Sequence, residues 1–278
     1  MEIKNLDNIT YKTNLFGKKI PQMSMLSRIG FLPTSIWETD WNRVKQLKAI
    51  VGDKGQTRNI KGSTTFGADV GASIFNPDLA QKILSAYCPL NAKILDQFGG
   101  GGTRGFIATA MGFDYTGVEL RQEEVDRINQ RMNELDKHFK LICGDSCVTE
   151  FEKESFDFSY TCPPYYDLEV YSSNEKDLSN FGTYEDFLEG MKKVLSINYN
   201  ALKSGAFSIW VVGNFRDKKG NLTHYSGDLI RLAKEVGFNL HDELIFHGAS
   251  GAANQRVGNF EKNRKSVRIH EYIIVLRK

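Results

Sequence analysis

Four consecutive glycines, Gly99–Gly102, separate an apolar run, KILDQF (Lys93–Phe98), from a segment with helical spacing that opens at Thr103. A backbone without Cβ atoms adopts positive φ and lets another molecule approach closely, and the helix that follows aims its free N–H groups at the same place. A tight βα turn also tolerates glycines. The GxGxxG fingerprint of dinucleotide folds is not met, because its sixth position is Arg104. The order strand, glycine turn, helix is then repeated along the chain. Short β-rich or apolar runs fall at Asp114–Leu120, Phe139–Asp145, Phe156–Cys162 and Ala206–Gly213. Helical spacing falls at Thr103–Met111, Gln122–Asp136, Tyr184–Leu202 and Gly227–Val236, with Thr183 placed as an N-cap three residues before Asp186. This alternation predicts an α/β fold, a doubly wound, mostly parallel sheet. Phe238–Phe246 and His270–Arg277 follow with no long helix between them, which predicts a terminal antiparallel pair and seven strands in all. Their connector, residues 247–269, is long, glycine-containing and basic, as functional loops are.

The net charge of +2 conceals three unlike regions. Residues 1–66 hold 11 Lys and Arg against 5 Asp and Glu, and residues 254–278 hold 7 against 2, so the ends carry +6 and +5 and the middle −9. Basic flanks around an acidic centre suit an anionic polymer gripped at the periphery and a small or cationic ligand in the middle; the plainer alternative is solvated lysines on two surface segments. An apolar fraction of 41% excludes a disordered chain. A mean hydropathy of −0.38, with no apolar run of about 18 residues, excludes a membrane-spanning helix. The four cysteines, Cys88, Cys143, Cys147 and Cys162, form no CxxC pair, nothing at the N-terminus reads as a targeting signal, and a cytoplasmic protein without a metal is expected.

Two carboxylates stand in register with the glycine turn. Glu119 ends the second strand, where a carboxylate accepts from vicinal ribose hydroxyls, and Asp145 ends the third, where an adenine amine would lie. Taken singly, each could be a helix cap. The fourth strand ends in TCPPYY, Thr161–Tyr166, which holds two of the six prolines. Adjacent prolines stiffen the backbone and remove two donors, so carbonyl oxygens are left to accept from a ligand, while the tyrosines offer flat faces. A diproline turn with tyrosines in the core is the structural alternative.

FGGGG (Phe98–Gly102) and CPPY (Cys162–Tyr165) resemble the FxGxG and (D/N/S)PPY motifs of S-adenosylmethionine-dependent DNA amino-methyltransferases, which make N6-methyladenine or N4-methylcytosine. FNPDLAQKIL (Phe75–Leu84) is similar to the segment that helps bind the methionine part of the cofactor, and residues 32–53 resemble the N-terminal segment of phage and prophage modification methylases. The resemblance implies a Rossmann-like class I methyltransferase fold over 67–278 and a basic segment, 1–66, that contacts DNA or docks. It implies Cys162, Pro163, Pro164 and Tyr165 as catalytic residues. Phe75, Asp96, Phe98, Gly100, Gly102, Thr103, Glu119, Asp145 and Ser146 would bind S-adenosylmethionine, and Arg43, Lys45, Arg256, Arg264, Lys265 and Arg268 would grip double-stranded DNA. A cognate restriction enzyme would be a further partner. One departure stands out: Cys162 takes the place of the family's Asp, Asn or Ser, and a thiol is a poor acceptor. A cytosine C5-methyltransferase using Cys162 as nucleophile, an RNA or protein amide methylase, and a catalytically degenerate DNA-binding homologue stay open as alternatives.

Overall fold

The strand that ends in Asp96 lies inside an eight-stranded sheet. A computed structural model of the chain describes residues 11–13, 19–21, 29–52, 75–166, 174–248 and 258–278. The sheet strands are β1 (Ile36–Glu38), β2 (Lys93–Asp96), β3 (Asp114–Glu119), β4 (Lys140–Cys143), β5 (Phe156–Thr161), β6 (Leu202–Val212), β7 (Asn239–His247) and β8 (His270–Arg277). The order across the sheet is β1-β7-β8-β6-β5-β2-β3-β4. All pairings are parallel except the two made by β8, which runs against both β6 and β7.

The helices are α1 (Trp41–Val51), α2 (Pro77–Tyr87), α3 (Thr103–Ala110), α4 (Gln122–Leu135), α5 (Tyr184–Ala201), α6 (Tyr225–Val236) and the short α7 (Gly258–Asn263). Parallel neighbours need a crossover, and helices supply it on both faces of the sheet. Each central strand therefore buries both of its faces. In β6, Ile209 and Val211 join the core under α1–α4, while Trp210 and Val212 join the core under α5 and α6. In β8, Ile273 and Val275 face the first core and Ile274 and Leu276 the second, which is why HEYIIVLR reads as a continuous apolar run.

The sheet has eight strands where seven were expected. The extra one, β1, comes from the N-terminal segment and pairs parallel with the far edge of β7, Ile36 against Ile245. Trp37 of this strand is 2% exposed and packs against Phe31 and Tyr87. Residues 36–51 thus share the core of the eight-stranded sheet; the expected boundary at 66/67 lies outside the described residues. Thr183 caps α5 as its position predicts, its Oγ1 accepting from Asp186 N at 3.1 Å.

The helix after the glycines lies tight against the sheet at Gly105. A Cβ there would stand 2.6 Å from the Phe139 ring and 2.9 Å from Tyr115. Gly105→Ala should therefore cost about 1–3 kcal/mol of stability through overpacking, which urea unfolding followed by circular dichroism will measure.

Candidate active site

Asp96 is completely buried where β2 gives way to the glycines, and its carboxylate gathers the loop and three strands. Oδ2 accepts from Arg104 Nε at 2.6 Å and from the Tyr115 hydroxyl at 2.6 Å. Oδ1 accepts from the Thr161 hydroxyl at 2.6 Å and from Phe98 N at 3.1 Å. Arg104 completes the turn by donating through Nη2 to the Phe98 carbonyl, and its guanidinium lies over the Phe75 ring, 4.7 Å from the centroid. Burial alone would lower the Arg104 pKa, yet the adjacent Asp96 charge more than offsets it, so the guanidinium stays charged. Burial likewise pushes the Tyr115 phenol well up, so it remains a donor.

Gln97, one residue on, points to the opposite face of the sheet. Its Nε2 donates to the Val194 carbonyl, and its Oε1 accepts from Asn198, which also donates to Ser159 and accepts from Ser208. Nothing in the sequence marked this buried polar chain.

A cavity of about 470 Å³ opens above these anchors. It is lined by Phe75, Phe98, Gly100, Thr103, Glu119, Asp145 and Ser146, and by the run Cys162–Tyr165. Two of the residues expected to touch a cofactor do not line it. Asp96 is consumed by its bonds to four residues beneath the loop. Gly102 turns the chain at φ +76°, where a Cβ would stand 3.2 Å from Ile128. Glu119 is 8% exposed, and both its Arg121 contacts, from N at 3.1 Å and Nε at 3.0 Å, end on Oε1. Oε2 makes no hydrogen bond with a described residue. Burial raises the Glu119 pKa, and Arg121 opposes that rise. Asp145 Oδ1 accepts from Cys147 N, while the Ser146 hydroxyl donates to the Gln97 carbonyl. Burial and Asp145 push the Cys147 thiol up to about 12, so it is no nucleophile at neutral pH.

The diproline run follows Thr161, so the Asp96 carboxylate holds its entry. Tyr165 then lies over Gly213, where a Cβ would stand 3.0 Å from its hydroxyl, and donates to Glu271 at 3.4 Å. Its ring meets Phe215 and Tyr225 edge to face, with centroids 6.2 and 6.4 Å away. Gly213 directly follows β6 and Glu271 lies in β8, both remote in sequence, and no local signal pointed to them. The cavity wall also includes Trp41, Val44, Lys48 and Val51 of α1.

The basic residues have unlike surroundings. Lys45 and Arg264 are exposed, whereas Arg43 donates to Gln81 and Gln46. Lys265 packs against Gly220 in a small hairpin (Phe215–Arg216 paired with Leu222–Thr223), and Arg268 is half-buried. Arg256 lies outside the described residues. Among the described residues, no helix is long and apolar enough to cross a membrane.

The family model for DNA methylases of the N6/N4 type matches residues 156–278, a stretch that opens at β5 and contains Cys162–Tyr165. Within this segment the chain is similar to the N6/N4 DNA methylases. An orphan methyltransferase, M.BamHII of Bacillus amyloliquefaciens, is 32% identical over 124 residues, which is 45% of this chain and 39% of that protein. The chain therefore spans well under two thirds of the curated relative it matches. A SAM-dependent methyltransferase of Methanosarcina mazei superposes with a TM-score of 0.50 at 15% identity, covering 70% of this chain and 96% of the other. The [4+2]-cyclase SpnF gives 0.51 at 14% identity, covering 84% and 93%. These likenesses establish the Rossmann-like fold. S-adenosylmethionine is the cofactor of this methylase family, and the wall of the cavity fits it. A glycine turn lies at a helix N-terminus, Glu119 is a mostly buried carboxylate whose Oε2 makes no hydrogen bond with a described residue, and a second carboxylate, Asp145, stands one strand further.

Removing the charge of Asp96 would leave Arg104 buried without its counter-ion. Asp96→Asn should cost about 3–5 kcal/mol, read as a lower denaturation midpoint with an unchanged urea slope.

Proposed function

We propose that the chain holds double-stranded DNA, turns one base out of the helix and methylates its exocyclic amine, N6 of adenine or N4 of cytosine. The observation that carries this reading is that the glycine turn and the diproline run, far apart in sequence, line one cavity. The cofactor supplies a methyl group on a cationic sulfur, a donor that needs no further activation. Gly100, Gly101 and the first turn of α3 would present backbone N–H groups to it, Glu119 would accept from its ribose, Asp145 and Ser146 would face its adenine, and Phe75 would border its amino-acid end. Asp96 and Gly102 act from behind, by holding the turn.

An exocyclic amine is a weak nucleophile, so the protein's main task is alignment. Tyr165, braced over Gly213, offers its face to the extruded base. Stacking of about 1–3 kcal/mol offsets much of the few kcal/mol that extrusion costs. The Pro163 carbonyl accepts from the amine, and Cys162 adds only a thiol beside it. The duplex rests on Lys45 of α1 and on the connector residues Arg264, Lys265 and Arg268, with Arg43 and Arg256 in the same two segments. Free cysteines fit a reducing cytoplasm.

Mass spectrometry of nucleosides from DNA incubated with the protein and labelled cofactor should find N6-methyladenine or N4-methylcytosine; 5-methylcytosine would replace this reading with the covalent one. Cys162→Ser should keep activity within about tenfold, because serine is the better acceptor, whereas Tyr165→Ala should lose most of it. Glu119→Ala should weaken cofactor binding by about 1.5–3 kcal/mol in calorimetry. Neutralising Arg264, Lys265 and Arg268 together should flatten the salt dependence of DNA binding by about 0.9 for each phosphate that is no longer neutralised, with cofactor affinity unchanged.

A further inference from the structure

The N-terminal helix α1 presents a single stripe to the cavity. Trp41, Val44, Lys48 and Val51 all line it, and their spacing puts them on one face of the helix. Leu47 fills the neighbouring core, and Asn42 and Lys45 face solvent. The helix is pinned at both ends. At its start, Asp40 caps it through Asn42 N and Arg43 N, the backbone N–H of Asp40 donates to Asp78 Oδ2 at 2.9 Å, and Asn76 Nδ2 donates to Thr39 Oγ1 at 3.1 Å. Asn76 is both the N-cap of α2 and a cavity residue. At its end, Arg131 of α4 spans two elements, donating from Nη2 to the Val51 carbonyl at 2.7 Å and from Nη1 to the Gly101 carbonyl at 3.1 Å. Its guanidinium is also seated over Phe106, 4.6 Å from the ring centroid. The same side chain therefore holds the glycine turn and the end of α1 together.

We infer that α1 is an integral wall of the cofactor site, with Trp41 and Lys48 touching S-adenosylmethionine and Arg131 as the positioning residue that clasps the helix to the glycine turn. This rests on the cofactor reading above. Trp41 is suited to such contact because it is 51% exposed while facing the cavity, so a ligand there removes a large aromatic surface from water. The cavity's charged lining comprises Glu119, Asp145, Asp177 and Glu271 with Arg104, Arg121, Lys176 and Lys48; Arg104 and Arg121 are engaged by Asp96 and Glu119, and Lys48 offers its charge from α1 to the carboxylate of an amino-acid moiety. A segment that charge alone would assign to DNA thus has two sides, a basic one toward solvent and a mixed aromatic one toward the cofactor.

The test is binding of S-adenosylhomocysteine, by calorimetry and by tryptophan emission, to the full chain. The three tryptophans are unequal, since Trp37 and Trp210 are 2% and 0% exposed. Ligand should shift the emission of the wild type, and Trp41→Phe should remove that shift. Trp41→Ala and Arg131→Gln should each weaken binding at least fivefold, while Asn42→Ala, on the solvent side, leaves it unchanged. Arg131→Gln is scored only with native circular dichroism, and Trp41→Ala, at an exposed position, carries the test where that variant fails to fold. Wild-type binding matched within twofold by Trp41→Ala, together with an emission shift that survives in Trp41→Phe, would overturn the inference and leave the cofactor reading standing. No binding by the wild type would overturn both.

Discussion

One buried carboxylate decides where everything in this site can be. Asp96 accepts from the helix after the glycine turn, from the turn itself, from the neighbouring strand through Tyr115 and from the residue that introduces the diproline run. A buried ion pair is poor evidence for net stability, because desolvation consumes most of its Coulomb energy. Its value here is geometric. Each of the four partners, Phe98, Arg104, Tyr115 and Thr161, ties a different piece of chain to two oxygens of one side chain, so the cofactor-type turn and the catalytic-type loop cannot move independently.

The adjacent residue extends the same logic through the sheet. Because side chains alternate along a strand, Asp96 serves one core and Gln97 the other. The Gln97–Asn198–Ser159–Ser208 chain ends at the indole N–H of Trp210, a residue buried between β6 and the helices below. Such networks are satisfied at nearly every atom or not tolerated at all, since an unpaired polar group in a core costs as much as several good contacts give. The result is a rigid strand end, which suits alignment chemistry better than a flexible one.

The departure at Cys162 also makes physical sense against this background. The loop still has its two prolines, its carbonyls and a stacking ring, and that ring is held by Gly213, Phe215, Tyr225 and Glu271. Orientation survives the loss of one acceptor better than it would survive the loss of a brace. Tyr225 is fully buried beneath Tyr165, so the platform rests on packed aromatic rings rather than on solvent.

Periodicity and turn chemistry determined the sequence-legible part: strand and helix positions to within a few residues, the glycine turn, the carboxylates at strand ends, and the antiparallel final pair. Those are local properties, set by which side chains share a face and which backbone angles a residue allows. The tertiary structure decided the rest. It put β8 between β6 and β7, since pairing choice depends on sheet closure and not on the strand's own residues. It drew Ile36–Glu38 onto the sheet edge, because three residues are too few to carry a periodic signal. It withdrew Asp96 and Gly102 from the cavity surface, as a motif marks proximity but not depth. And it turned one face of α1 toward the cavity, because a helix shows its charge in sequence while only packing reveals what its other face meets.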